Sequence, residues 1–116
     1  MVLFAHGSRD PLWRLPIEAV ATRVRQLEPG TPVRCAYLEL TEPDLPTVAA
    51  ELAALGMASL SVVPLFLGVG RHARDDLPQL VQALRMRHPG IAFELKPSIG
   101  EDPQLIDTIA QIALRP

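Results

Sequence analysis

Short apolar runs alternate with segments whose apolar residues recur every three or four positions, and the alternation repeats four times along the chain. The first run, residues 1–5, predicts a strand. Ile17, Val20, Ala21, Val24 and Leu27 follow at helical spacing, with Pro16 suited to a first turn and Pro29-Gly30 as a stop. Residues 33–38 predict a second strand. Asp44 then stands as an N-cap before the stripe Leu45, Val48, Leu52 and Leu55, which ends at Gly56. Residues 60–67 form the most apolar run, as expected of a strand covered on both faces. A third helix is expected to open at Asp75 or Asp76, with Pro78 in its first turn. Leu77, Leu80, Val81 and Leu84 would face inward, and His88-Pro89-Gly90 would close it. The fourth unit is a strand over 91–95, then Asp102-Pro103 as cap and first helical residue, then the stripe Leu105, Ile106, Ile109 and Ile112.

Strands alternating with helices predict an α/β fold: a parallel sheet with right-handed crossovers and helices on both faces. A flavodoxin-like, three-layer arrangement of order 2-1-3-4 makes strands one and three neighbours. The switch point then lies between them, where ligands of open parallel sheets bind. Two histidines follow those two strands, His6 in His6-Gly7-Ser8-Arg9-Asp10 and His72 in Gly68-Val69-Gly70-Arg71-His72. Both are expected in loops opening onto one crevice. Neutral imidazole is the commonest metal ligand, so the pair can share one ion, although a lone histidine after a strand is more often a hydrogen-bonded loop residue.

Composition narrows the choices. A length of 116 residues fits one domain, and a net charge of -2 gives no global attraction to nucleic acid. An anionic ligand would have to meet local arginines. Cys35 is the single cysteine, which rules out an internal disulfide and any CxxC metal site and favours a reducing cytosol. It reads as a buried strand residue, Trp13 as packing or a pocket wall, and His88 as a helix-end residue near the carbonyl dipole. Neither a membrane span nor a signal-peptide core is long enough here, so the expectation is a cytoplasmic protein with neither membrane nor nucleic acid as partner.

The stretch His6-Gly7-Ser8-Arg9-Asp10-Pro11 resembles the opening motif of the CbiX-type sirohydrochlorin chelatases. Residues 64–78, from Pro64-Leu65-Phe66-Leu67 through His72 to Asp76-Leu77-Pro78, resemble their second signature, P-x-F-L-x-x-G-x-H-x-x-x-D-[IL]-P. Tyr37-Leu38-Glu39-Leu40-Thr41-Glu42-Pro43 is similar to the family's stretch after strand two, and His88-Pro89-Gly90 and Gly100-Glu101-Asp102-Pro103 fall at comparable turns. The resemblance covers the whole chain as one chelatase domain, 1–116. It implies a lyase of cobalamin synthesis that inserts a divalent metal, most often Co²⁺, into sirohydrochlorin. Relatives insert Fe²⁺ or Ni²⁺. The metal is then a substrate, with no tightly bound cofactor.

His6 and His72 match the family's metal-handling histidines, and nitrogen donors suit these ions while leaving positions open for the macrocycle. Two pyrrole protons must leave, and an imidazole or the Glu39 carboxylate can accept them, unless Glu39 is a solvated loop residue or a cap. Arg9, Arg71 and Arg74 can pair with the substrate's many carboxylates, and Ser8 can donate to one. Ion pairs with Asp10, Asp75 or Asp76, or plain solvation, are the ordinary alternatives for the arginines, and a turn for Ser8. Gly7, Gly68 and Gly70 give permissive backbone and room for a flat ring. Ala5 stands where many relatives have Gly, the chain opens inside the first strand so that a residue or two is expected upstream, and the lack of a His-rich tail leaves metal storage unsupported. Larger chelatases hold two such domains, and short ones pair as homodimers, so the resemblance implies a two-fold pair enclosing the tetrapyrrole. Two rivals stay open: a tetrapyrrole- or metal-binding module without turnover, and a hydrolase or phosphoryl-transfer enzyme using His6 and Ser8. The second ranks low, because the chain has no G-x-S-x-G elbow.

Overall fold

The computed structural model describes residues 1–116, the side chain of His72 excepted. Four strands, β1 (Val2–Ala5), β2 (Arg34–Tyr37), β3 (Ser59–Pro64) and β4 (Ala92–Leu95), alternate with four helices, α1 (Leu15–Leu27), α2 (Leu45–Ala54), α3 (Arg71–Arg87) and α4 (Pro103–Ala113). All three strand pairings are parallel, as the βα repeat predicts, and the order is β2-β1-β3-β4, the flavodoxin-like order expected from the sequence. A short 3₁₀ turn, Ile99–Glu101, precedes α4.

Side chains of successive strand residues point to opposite sides of the sheet, and the two sides are filled differently. On one side Val2, Phe4, Ala36, Leu60 and Val62 meet Leu45, Val48 and Leu52 of α2 and Leu77, Val81 and Leu84 of α3. Burying each such leucine contributes about 1.5–3 kcal/mol, so this layer dominates the stability. On the other side Leu3 and Val33 gather only Ala21 of α1 as a buried partner. The apolar stripes predicted for α1 and α4 are largely uncovered: Val20 and Leu27 are exposed, and Ile106, Ile109 and Ile112 stand 54%, 39% and 49% open. Only Leu105 of that predicted α4 face is half-buried. Amphipathic periodicity reports which face is apolar, not whether a partner lies within the same chain.

Caps explain the helix starts. The Asp44 carboxylate accepts from the Thr47 N–H at 2.9 Å and opens α2, and Asp102 does the same for α4 through Gln104 at 2.8 Å. The Thr47 hydrogen bond holds the Asp44 carboxyl below the usual carboxylate range. Helix α3 departs from the sequence reading. It opens at Arg71 behind the extended Gly70, well before Asp75, and Pro78 lies inside it. Proline lacks an N–H and crowds the carbonyl four residues back, which normally ends a helix there. Here Ala73 continues the stripe of Leu77, Leu80, Val81 and Leu84 at helical spacing, and packing against the core outweighs that cost. His72 therefore stands in the first turn of a helix rather than in a loop.

Candidate functional site

The carboxyl ends of β1, β2 and β3 lie side by side on one edge of the sheet; the loops after β1 and β2 carry His6, Ser8, Arg9 and Glu39, and the connection after β3 leads into the first turn of α3 with Arg71, His72 and Arg74. His6 follows β1 immediately and is exposed. Its carbonyl accepts from the Glu39 N–H at 3.0 Å, and the Ala5 carbonyl accepts from the Leu38 N–H at 2.9 Å. The β1–β2 pairing thus runs two residues past the strands, which brings the backbones of His6 and Glu39 together. Gly7 is why they can lie so close. Its φ is +100°, and a β-carbon there would fall on the Glu39 carbonyl oxygen.

Thr41 ties the same two loops a second time. Its hydroxyl accepts from the Ser8 N–H at 2.9 Å and donates to the Ser8 carbonyl at 2.7 Å. Two such hydrogen bonds contribute on the order of 1–3 kcal/mol. Leu40 between them holds φ at +61°, an unfavourable setting for a side chain beyond Cβ, and it is exposed. Ser8 makes the turn its alternative reading gave it, since its hydroxyl oxygen accepts from the Asp10 N–H at 3.1 Å. The hydroxyl proton stays available to a ligand. Asp10 in turn accepts from the Leu12 N–H at 2.9 Å.

Beneath the His6 imidazole lies Phe66, with ring centroids 4.2 Å apart and planes at 31°. Phe66 is buried and meets Phe4 edge-on at 6.0 Å. Arg9, Arg71 and Arg74 are exposed, and among the described residues the one ion pair of the chain is Arg14–Glu18, on α1. Pairing with Asp10, Asp75 or Asp76 is therefore not what occupies the three arginines.

The side chain of His72 lies outside the described residues. Its backbone position in the first turn of α3 follows the loop after β3, the strand paired with β1. The structure thus brings His6, Ser8 and Glu39 into one linked pair of loops, with the β3–α3 connection beside them. Among the described residues no three His, Cys, Asp or Glu side chains gather as a ready-made metal site.

A cavity of about 890 Å³ opens beyond β2 and is lined by Glu39, Glu42, Asp44 and Glu51 among others. Four carboxylates repel a polyanion, so this space suits cations rather than an acidic ring. A second groove, about 470 Å³, runs between α1 and α4 past Pro16, Ile17, Val20, Leu65, Ile99 and Leu105. Exposed leucines stand around the site edge as well: Leu12 after β1, Leu38 and Leu40 after β2, and Leu67 after β3.

The remaining singular residues have structural places. Tyr37 is buried, its hydroxyl lacks a hydrogen-bond partner among the described residues, and burial pushes its pKa up to about 12. Trp13 covers it edge-on at 6.2 Å. Cys35 is half-buried rather than buried, and desolvation raises its thiol pKa, which makes it a poor nucleophile. The His88 N–H caps α3 through the Leu84 carbonyl at 2.9 Å. Thr41 and Phe66 are the contributors that sequence reasoning left without a role. The only signal for them was position, Thr41 two residues after Glu39 and Phe66 two after the last residue of β3.

Comparison with known proteins adds the following. The family model described as CbiX matches residues 1–114. The sirohydrochlorin cobaltochelatase of Methanothermobacter thermautotrophicus is 35% identical over 81 residues, 70% of this chain and 56% of that protein. The chloroplastic sirohydrochlorin ferrochelatase of Arabidopsis thaliana is 26% identical over 94% of this chain and 48% of its own. Such matches span about half the length of these curated relatives. The crystal structure of a cobalamin-biosynthesis CbiX protein from Marinobacter aquaeolei superposes with a TM-score of 0.83 at 34% identity, over 97% of this chain and 91% of that one. No helix is long and apolar enough to cross a membrane among the described residues.

Proposed function

The chain belongs to the CbiX family, and from that premise we propose that it is one chelatase domain, a lyase that inserts a divalent metal, Co²⁺ first, into sirohydrochlorin for cobalamin synthesis. The observation that carries the reading is the exposed His6 at the carboxyl edge of β1, its backbone hydrogen-bonded to Glu39 of the neighbouring loop and its imidazole lying over Phe66. His72, on the connection from the neighbouring strand, is the proposed second metal-handling histidine.

In the proposed reaction two pyrrole N–H bonds break, four metal–nitrogen bonds to the macrocycle form, and the ion's bonds to the histidines that held it break. The macrocycle leaves as the metal complex, and two protons go to solvent through a base. His6 and His72 would hold the arriving ion by nitrogen, a weak and exchangeable set that leaves positions open for the ring. The Glu39 carboxylate, on the loop whose backbone is hydrogen-bonded to His6, would take a proton. Arg9, Arg71 and Arg74 would meet peripheral carboxylates, and the Ser8 hydroxyl would donate to one. The exposed leucines at this edge offer apolar contact to the face of a flat macrocycle.

The test supplies the purified chain with sirohydrochlorin and Co²⁺, Ni²⁺ or Fe²⁺ separately, without oxygen, and follows the absorbance change on metalation. The expected result is faster insertion of Co²⁺ than the spontaneous reaction. The Arabidopsis relative bears the name of a ferrochelatase, which supports Fe²⁺ as the alternative ion. Tight binding of the tetrapyrrole without acceleration for any ion would replace this reading with that of a binding module.

A cytoplasmic two-fold dimer belongs to the same proposal. The uncovered apolar residues of α1 and α4 call for a partner, and the Arabidopsis relative carries about twice this length in one chain. A second copy would stand in for the missing half, with the two histidine edges turned to a common cavity. Light scattering at micromolar concentration is expected to give twice the chain mass, and a monomer there, with substrate present, would refute it.

A further inference from the structure

The imidazole of His6 has no strand of its own to fix it, since it begins the loop after β1 and faces solvent. What lies under it is a buried phenyl ring, 4.2 Å away and tilted by 31°. The lone pair of an imidazole nitrogen lies in the ring plane. A platform beneath the ring therefore leaves both nitrogens free at its edges and limits the arc in which a metal ion or proton can meet them.

The platform is itself clamped from the far side of the sheet edge. Phe66 lies two residues past β3, where ladder hydrogen bonds have ended, yet its carbonyl accepts from the Ser98 hydroxyl at 2.5 Å and from the Gly100 N–H at 3.0 Å. Ser98 is buried. Gly100 allows the approach, because a β-carbon there would fall on the Leu67 carbonyl oxygen. Phe4 meets the ring edge-on. The connection after β4 thus holds the backbone of the connection after β3, which holds the ring that holds His6.

We propose that Phe66, clamped by Ser98 and Gly100, is a positioning residue that orients the His6 imidazole for metal delivery. The inference rests on the chelatase reading above and adds to it three residues that do not touch the substrate. Stacking fixes an exposed imidazole at little cost, since a flat ring on a flat ring loses few rotamers once the lower one is buried.

The experiment combines Phe66→Leu, Ser98→Ala and His6→Ala, alone and with His6→Ala as the second change. Proton NMR first reads the His6 ring C–H signals, which the phenyl face should shift upfield. The three histidines of the chain make assignment by His6→Ala direct. Phe66→Leu should abolish that shift and Ser98→Ala should reduce it. Misplacement of about 1 Å can cost ~10²-fold in rate, so a tilted but present imidazole should cost roughly tenfold in kcat for Co²⁺ insertion, with KM for the tetrapyrrole unchanged. Ser98→Ala should lose less, in the same direction. In the His6→Ala background Phe66→Leu should cost nothing more, which is the mark of acting through His6. A crippled His6→Ala chain in which Phe66→Leu still costs its full factor overturns this inference alone, as does an unchanged His6 shift in Phe66→Leu. A His6→Ala chain with full activity overturns the role of His6 and this inference with it.

Discussion

His6→Ala is expected to slow Co²⁺ insertion about 10²- to 10⁴-fold, the range seen when a catalytic acid–base group is lost, and His72→Ala to do the same. Folding should survive both. His6 is exposed, and surface replacements usually stay within about 0.5 kcal/mol. Position 72 lies in the first turn of α3, where alanine is the better helix former. Arg9→Ala should act differently, by raising KM for the tetrapyrrole with a smaller change in kcat, because a rim charge contributes uniform binding rather than transition-state contact. The measurement is anaerobic insertion kinetics beside a thermal melt for each variant. A histidine variant with wild-type kcat would return that residue to the ordinary role of a loop or helix-end imidazole.

The fold was legible because each of its rules is local. Short apolar runs and apolar stripes at helical spacing alternate, the caps Asp44 and Asp102 stand where the carboxylates accept from Thr47 and Gln104, and the parallel sheet follows from the repeated strand–helix units. Helix α3 escaped that reading because Pro78 is a strong local stop signal, and only the tertiary burial of Leu77, Val81 and Leu84 overrides it. The apolar faces of α1 and α4 were legible as faces but not as surfaces, since the pattern at Ile106, Ile109 and Ile112 is the same whether a helix packs on its own sheet or on another chain.

The site divides along the same line. His6, Ser8 and Glu39 were identifiable because strand ends are where parallel sheets present their chemistry. What links them was not, because it consists of contacts between loops distant in sequence: Thr41 to Ser8, Glu39 to His6, and Ser98 to Phe66. Nothing in the spacing of a threonine or a phenylalanine announces a partner thirty residues away. Glycine comes closest to announcing one, and Gly7 allows that to be tested.

Gly7→Ala is expected to be strongly damaging for a single added methyl. Two independent penalties meet there. A φ of +100° lies outside the region that L side chains accept, and the added carbon would coincide with the Glu39 carbonyl oxygen. Backbone strain of this kind costs of order 1–3 kcal/mol, so denaturant unfolding should register a loss in that range. If the chain instead moves to relieve the clash, the loops separate. The His6 carbonyl then loses the Glu39 N–H and Ser8 loses Thr41, which displaces the proposed metal-handling imidazole from the proposed base. A shift of about 1 Å at a reacting group is enough for a ~10²-fold fall in insertion rate. Gly68→Ala is the control. It has no neighbour within contact of an added carbon and no positive φ, so its stability should stay within about 0.5 kcal/mol of the parent. Equal unfolding midpoints for the two variants would show that the approach of the first loop to the second is not what fixes this edge of the sheet.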